Sequence, residues 1–259
     1  MHRYGALIRV LVTGCGRSGT SLLTVLMKGF HGLRVFDVKE INPRIVSNRS
    51  RFKEPFAIKC PQGASRPDQD FYLKTMPDML WGMRRSSFLT ELVETWKTVV
   101  CLRDPRDVLT SRHPKAPDRY WVSAERWVKA VERSLVVRNH PNVTFIKYES
   151  LVLDPLAELK KLGCALHLEY EDAWVTEFHK ETTAEKGIAR GLGKVRPIDS
   201  ASIGRWSDDE HRDRISTVFK NWGDRLGLLM STLGYDYDAK QLSGPFRSLR
   251  ASASDAPTC

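Results

Sequence analysis

The sequence predicts an α/β fold, a single domain with a central, mostly parallel sheet flanked by helices and a nucleotide-binding loop of the P-loop kind. Two observations predict it. Short runs rich in β-formers alternate with stretches of helical period, the pattern of strands joined through crossover helices. The first such run breaks off at glycines and resumes with helix formers, VLVTGCGRSGTSLL (residues 10–23), so a strand feeds a glycine-rich turn that opens a helix.

The elements follow in order. Residues 8–13 make a buried strand and residues 20–28 the helix after the loop. FAIKCP (56–61) is a short strand ended by proline. FYLKTMP (71–77) is either a further strand or the start of the helical stretch around MLWGMRRSSFLTELVETW (79–96). KTVVCLRDP (97–105) is the clearest strand after the first, an apolar run bounded by polar residues and a turn. From 120 to 138, Trp121, Ala124, Trp127, Val131 and Leu135 recur at helical spacing and make a packing face. NVTFIKYESL (142–151) is the next strand. A helix then opens at Asp154, an N-cap with Pro155 behind it, and closes at Gly163. KETTAEKGIARGLGKVRPIDSASIGRW (180–206) has no clear period, four glycines and a surplus of basic residues, and reads as a long functional loop. The domain covers residues 1–240, and 241–259 form a flexible tail.

Composition bounds the function. At 259 residues the chain can bury a substantial core. Its 41% hydrophobic and 28% charged residues are those of a soluble globular protein. No apolar run approaches the roughly 20 residues needed to cross a bilayer. MHRYGALIRV leads directly into the first strand without the shape of a secretory signal. Cys15, Cys60, Cys101, Cys164 and Cys259 are scattered and form no CxxC pair, which predicts reduced thiols in the cytoplasm and no zinc site. A net charge of +10 predicts an anionic partner: nucleic acid, an acidic membrane surface or a polyanionic small molecule.

The nucleotide-hydrolase pattern GxxxxGK[ST] can be laid on residues 14–21, but Thr20 stands where its lysine would be, and the positive charge sits at Arg17 inside the loop. With no clear Asp-ending strand to hold magnesium, hydrolysis of a nucleoside triphosphate loses two of its supports. A second anion site follows the strand at 97–102. CLRDPRDVLTSRH puts Arg103 at the strand end and Ser111 eight residues later, about two turns along a helix that starts after Pro105. An arginine fork and a hydroxyl can then converge on one phosphate.

Together these segments resemble the sulfotransferase superfamily that uses 3′-phosphoadenosine 5′-phosphosulfate (PAPS). GCGRSGTS resembles the 5′-phosphosulfate loop in its arginine-bearing variant, found among bacterial, carbohydrate and tyrosylprotein members. RDPRDVLTS is similar to the 3′-phosphate element, KYESLVLDP to the Tyr-Glu-Asp-Leu stretch, and SIGRW (202–206) to the C-terminal Gly-x-Trp loop. The resemblance spans about residues 8 to 207. It implies PAPS as donor, adenosine 3′,5′-bisphosphate (PAP) as product and no metal requirement. It gives Arg17 the role of stabilising the charge that builds on the bridging oxygen as the S–O bond breaks. Gly16, Ser18, Gly19, Thr20 and Ser21 would wrap the 5′ end, and Arg103 and Ser111 would hold the 3′-phosphate. Arg196 and Arg205 would close over the same phosphate with Lys194 behind them, and Trp206 would anchor the loop by packing.

On the acceptor side, the cytosolic branch uses a histidine in a Lys-Thr-His motif. The closest stretch here is LKTMP, with Met76 in the histidine's place, which counts against phenol and steroid acceptors. Carbohydrate and tyrosylprotein members place a glutamate some twenty-odd residues beyond the loop. Glu40, 23 residues after Arg17, is the preferred base, with Asp37 and Glu54 as substitutes. Lys59 or Lys74 would reach the leaving sulfate or bridging oxygen, and Lys59 is favoured. His113 is read as a helix residue outside the chemistry. Three function classes follow: a sulfotransferase acting on a hydroxyl of a carbohydrate, glycolipid or small metabolite; a P-loop-type kinase lacking its lysine; and a non-catalytic basic module for nucleic acid. The last is weakest, because no nucleic-acid motif accompanies the charge. The acceptor and the oligomeric state are not specified by residue types.

Overall fold

The computed structural model of the chain describes residues 8–36, 54–60, 62, 88–113, 116–181 and 195–237. In chain order the elements are β1 (Arg9–Gly14), α1 (Thr20–Leu26), β2 (Arg34–Val35), β3 (Phe56–Lys59), α2 (Phe88–Val93), β4 (Lys97–Leu102), α3 (Pro105–Leu109), β5 (Arg112–His113) and β6 (Ala116–Tyr120). There follow α4 (Ala124–Val136), β7 (Val143–Lys147), α5 (Tyr148–Leu153), α6 (Pro155–Leu166), α7 (Trp174–Glu181) and α8 (Arg212–Thr232). The described residues fall into two compact units, those within Met1–Arg103 and Glu125–Ser200, and those within Asp104–Ala124 and Ala201–Cys259.

The first unit is built on a five-stranded sheet, all parallel, in the order β2-β3-β1-β4-β7. Alternation along each strand sends side chains to two clusters. Val10 and Val12 of β1, Val99 of β4 and Ile146 of β7 pack with Leu23, Leu26, Leu159 and Leu162 from α1 and α6. Leu11, Phe56 and Ile58 pack on the other face with Leu89 and Leu92 of α2, Trp96 and Val137. Both faces are therefore covered, which is why β1 and β4 are buried along nearly their whole length and carry adjacent apolar residues, Val10–Val12 and Val99–Leu102. The α/β class with a parallel sheet flanked by helices is the one the alternation predicts. From β1 the chain pairs β3 on one side and β4 on the other, so the sheet order reverses there and opens a crevice at the carboxyl ends of β1 and β4.

Several boundaries moved. The helix expected from residue 120 begins at Ala124, because Tyr120 closes β6 and the Trp121 N–H donates to the Ser111 carbonyl (2.9 Å). Ala124, Trp127 and Val131 are buried, so the apolar stripe is a packing face. α6 starts where expected, with the Asp154 carboxylate accepting from the Ala157 N–H (3.1 Å) and Pro155 in the first turn. It does not stop at Gly163. It runs to Leu166 and closes on His167 in the left-handed conformation, with the Leu168 N–H returned to the Gly163 carbonyl (2.9 Å). Gly163 is a packing glycine instead, since a Cβ there would lie 2.6 Å from the Leu168 carbonyl oxygen. Of the stretch 79–96, α2 is the described helical part; the candidate strand 71–77 and the tail 241–259 lie outside the described residues.

In the second unit α3, the antiparallel pair β5–β6 and α8 pack together. The sequence reading assigns no element to 207–240. There α8 forms 21 residues of helix that bury Ile215, Val218, Phe219, Leu226, Leu229 and Met230 along one face. Arg214 leaves this helix to donate to the carbonyls of Leu109 (3.4 Å) and Val122 (3.2 Å), its guanidinium 4.7 Å above the Tyr120 ring. Burial holds its pKa below the usual arginine range.

Candidate functional site

The site of the first unit is assembled at the carboxyl ends of β1, β3, β4 and β7. β1 ends at Gly14, and the loop to α1 turns through two left-handed residues, Arg17 (φ 71°) and Gly19 (φ 88°). A left-handed arginine is uncommon and costs energy, so the surroundings must hold it there. One turn bond, from the Ser18 N–H to the Cys15 carbonyl (3.2 Å), helps to do so. Ser18 and Thr20 are buried, whereas Arg17 stands exposed. α1 has neither a side-chain cap nor an acidic residue in its first turn. Its first N–H groups, which have no acceptor inside a helix, are thus left as donors for an anion.

Two further cations converge on this loop. Lys59, the last residue of β3, is 4% exposed and its Nζ donates to the Ser21 Oγ (3.0 Å). Arg103, just past β4, is buried, and its Nη1 donates to the Arg17 carbonyl (3.3 Å). The Arg103 guanidinium lies 4.3 Å above the ring of Tyr148, the first residue after β7. Crowding around the Arg17 head group, then the like charge of Arg103, lower the Arg17 pKa, with Tyr148 opposing. An arginine remains charged under such shifts. The thiols near the loop are held protonated: burial pushes Cys15 and Cys101 of β4 up to about 12, although the charges of Arg126 and Lys59 respectively act against it.

The first unit therefore brings together Arg17, Ser18, Gly19, Thr20, Ser21, Lys59 and Arg103, all anticipated from sequence. Gly16 lies in the same loop. Arg196 also belongs to this unit, exposed and paired with Asp199 (2.9 Å). Glu54 is exposed and precedes the amino end of β3, so at about 3.3 Å per residue the strand separates it from Lys59 and the loop; it is not placed to serve as the base. Glu40, Asp37, Lys74 and Lys194 lie outside the described residues. Two polar residues beside the loop have no role there in the sequence analysis. Tyr148 belongs to the stretch KYESLVLDP that carries the resemblance, without a contact assigned to it. The Gln62 N–H donates to the Gly14 carbonyl (2.8 Å) and its side chain to Ser134 (2.7 Å).

The second unit holds Ser111 and Arg205. Ser111 is not two turns along a helix: α3 spans only Pro105–Leu109, Thr110 ends it, and Ser111 stands beyond with its hydroxyl on the Asp107 carbonyl (3.2 Å). The helix is short because β5 starts at Arg112. For the same reason His113 is a strand residue, stacked on Trp121 at 4.2 Å, rather than a helix residue. Asp104 caps α3 through the Arg106 N–H (2.8 Å) and pairs with the Arg106 guanidinium. That guanidinium covers the buried Trp206 ring at 4.2 Å. Arg205 is exposed, 3.8 Å from Asp208.

The late loop is fixed by one carboxylate. Asp107, 3% exposed, accepts from the Gly204 N–H (2.9 Å) and the Trp206 N–H (3.0 Å) and so holds the left-handed turn at Gly204. Asp107→Ala removes the acceptor of two N–H groups and is expected to destabilise the chain by about 2–4 kcal/mol, read as a lower denaturant midpoint. An unchanged midpoint would show that these bonds do not hold the loop.

The sulfotransferase domain family has a model that matches residues 7–187. The chain belongs to the sulfotransferase family. Solved structures with the same fold include the sulfotransferase domain from the Synechococcus PCC 7002 olefin synthase, at 15% identity, a TM-score of 0.59 and coverage of 92% of this chain and 98% of that one. Mouse sulfotransferase SULT7A1, complexed with PAP, matches at 14% identity and a TM-score of 0.53 over 88% of this chain and 90% of that one. Retinol dehydratase in complex with androsterone and the inactive cofactor PAP matches at 14% identity and a TM-score of 0.50, over 89% of this sulfotransferase and 82% of its own chain. No curated protein sequence matches. Among the described residues, no helix is long and apolar enough to cross a membrane, and no three His, Cys, Asp or Glu side chains lie grouped as metal ligands would.

Proposed function

We propose that this sulfotransferase moves a sulfuryl group from PAPS to a hydroxyl of a carbohydrate, a glycolipid or another small metabolite. The convergence of Arg17, Lys59 and Arg103 on an uncapped loop at the carboxyl edge of the sheet carries this reading. PAP, bound in two structures of the same fold, carries phosphate at both ends as the loop and Arg103 require.

In the reaction the acceptor oxygen forms a bond to sulfur as the bond from sulfur to the bridging oxygen breaks. The electron pair stays on the 5′-phosphate oxygen and the hydroxyl proton passes to Glu40. Arg17 and Lys59 meet the charge that builds on the bridging oxygen. Gly16, Ser18, Gly19, Thr20 and Ser21 hold the 5′ end. Arg103 and Ser111 hold the 3′-phosphate, and Arg196 and Arg205 close over it. The acceptor is a small molecule or glycan, not nucleic acid. A cytoplasmic location accords with Cys15, Cys60, Cys101 and Cys164 being free thiols. The kinase reading draws no support from the family or the fold neighbours.

The test is titration with PAP and with adenosine triphosphate in the presence of a chelator. Tight binding of PAP alone is expected, and a preference for the triphosphate with magnesium would reject the assignment. Arg103→Ala should weaken PAP by about tenfold to a hundredfold, the loss of a charged fork on a phosphate. Unchanged affinity would remove Arg103 from the site. Turnover of labelled PAPS against a panel of glycans, glycolipids and phenols then identifies the acceptor.

A further inference from the structure

Arg103 touches more than an incoming phosphate would require. Its Nη1 is bonded to the Arg17 carbonyl, and that carbonyl belongs to the left-handed residue on which the loop turns. The guanidinium is buried and lies flat against Tyr148, 4.3 Å from the ring centroid. Tyr148 also approaches Gly19, the second left-handed residue: a Cβ there would meet Tyr148 Cδ2 at 2.5 Å. Tyr148 itself is fixed because it is the first residue after β7, whose Lys147 pairs with Leu102 of β4 immediately before Arg103. One aromatic ring thus abuts both ends of the Arg17–Gly19 turn, one directly and one through a guanidinium.

We infer that Tyr148 and Arg103 form a strut that holds the 5′ loop in its binding conformation, so that Arg103 serves the 5′ end of the nucleotide as well as the 3′-phosphate. Tyr148 is a positioning residue in this arrangement, acting through Arg103 and through contact with Gly19. A flat, delocalised guanidinium suits both tasks: its face rests on the ring while an edge N–H reaches the carbonyl, which a lysine ammonium cannot do at once. The assignment of the two phosphate ends rests on the function proposed above; the strut itself does not.

A pure 3′-phosphate ligand and a loop strut predict different results for a nucleotide without a 3′-phosphate. Affinity for adenosine 5′-phosphosulfate is measured by calorimetry for the full chain, R103A, Y148L and Y148F. R103A and Y148L should each bind it about tenfold more weakly, the scale of a desolvated cation–π contact, while Y148F, which keeps the ring face, should bind as the parent does. The double variant R103A/Y148L should lose little beyond either single one, because both break one strut. Parent-like binding by R103A, or a Y148F loss equal to that of Y148L, overturns the inference.

Hydrogen exchange of the nucleotide-free chain supplies a readout that needs no ligand. Exchange across residues 15–20 should quicken several-fold in Y148L and R103A and stay unchanged in Y148F. Equal exchange in all of them overturns the strut even if the parent binds no adenosine nucleotide, whereas failure of the parent to bind PAP overturns the functional assignment alone.

Discussion

Arg17→Ala should lower kcat by about a hundredfold to a thousandfold, the usual cost of removing one preorganised group from a developing oxyanion, while PAP binding falls only a few-fold. The reasoning is differential. On the proposed assignment the loop N–H groups, Lys59 and Arg103 would still hold the phosphates of PAP, but charge appears on the bridging oxygen only as the S–O bond breaks. The position of Arg17 sharpens the expectation. Its backbone is left-handed and its carbonyl is tied to Arg103, so its side chain starts from a constrained turn. Alanine keeps the Cβ and the carbonyl, so the turn bond to Arg103 survives and the loss isolates the charge. Arg17→Lys should recover part of the rate, since the charge returns without the fork. Single-turnover rates beside PAP affinity measure both quantities. An equal loss in each would show that Arg17 binds ground state and transition state alike.

Gly14→Ala should be among the most destabilising single changes in the sheet. Gly14 sits at φ 138°, and a Cβ there would stand 2.4 Å from the carbonyl oxygen of Cys101, its register partner on β4. That oxygen belongs to the backbone of a central strand and cannot swing aside. The cost combines left-handed strain with a clash that must part β1 from β4, about 3–5 kcal/mol by the scale of such mechanisms. For a chain of this size that corresponds to a fall in Tm of roughly 10 °C. Gly32→Ala is the control: Gly32 has φ 72° but nothing within 4 Å of the added methyl, so only the strain applies, about 1 kcal/mol. If the two variants unfold at the same temperature, the approach of β1 to Cys101 does not limit the fold.

Much of this was legible in the chain alone. The apolar runs at 8–13 and 97–102 became β1 and β4, and the glycine loop between β1 and α1 fell where the break in hydrophobicity placed it. Lys59 and Arg103 are legible as residues at strand ends, and the carboxyl ends of the strands in a parallel sheet all open on one edge. Errors arose where a local signal had two physical causes. Gly163 looked like a helix stop, yet its missing side chain makes room for the Leu168 carbonyl. Arg103 to Ser111 suggested helical phase, but β5 claims the residues after Leu109. Tyr148 lies in a stretch that the family resemblance marks, KYESLVLDP, but its contact with Arg103 is not legible there, because the two residues follow different strands of the sheet.

By itself the sequence determined the class of fold, the anion loop with its arginine in place of a lysine, and the cations at the strand ends. These follow from periodicity, from glycine's conformational freedom and from fixed charge, all of which are local properties. Only the tertiary structure decided that the Arg103 guanidinium rests on Tyr148 and grips the Arg17 carbonyl, and that Lys59 is buried against Ser21. Those contacts join residues at or beyond the carboxyl ends of β1, β3, β4 and β7, whose neighbours are set by sheet order, and sheet order is a global outcome of packing both faces rather than a property of any one segment.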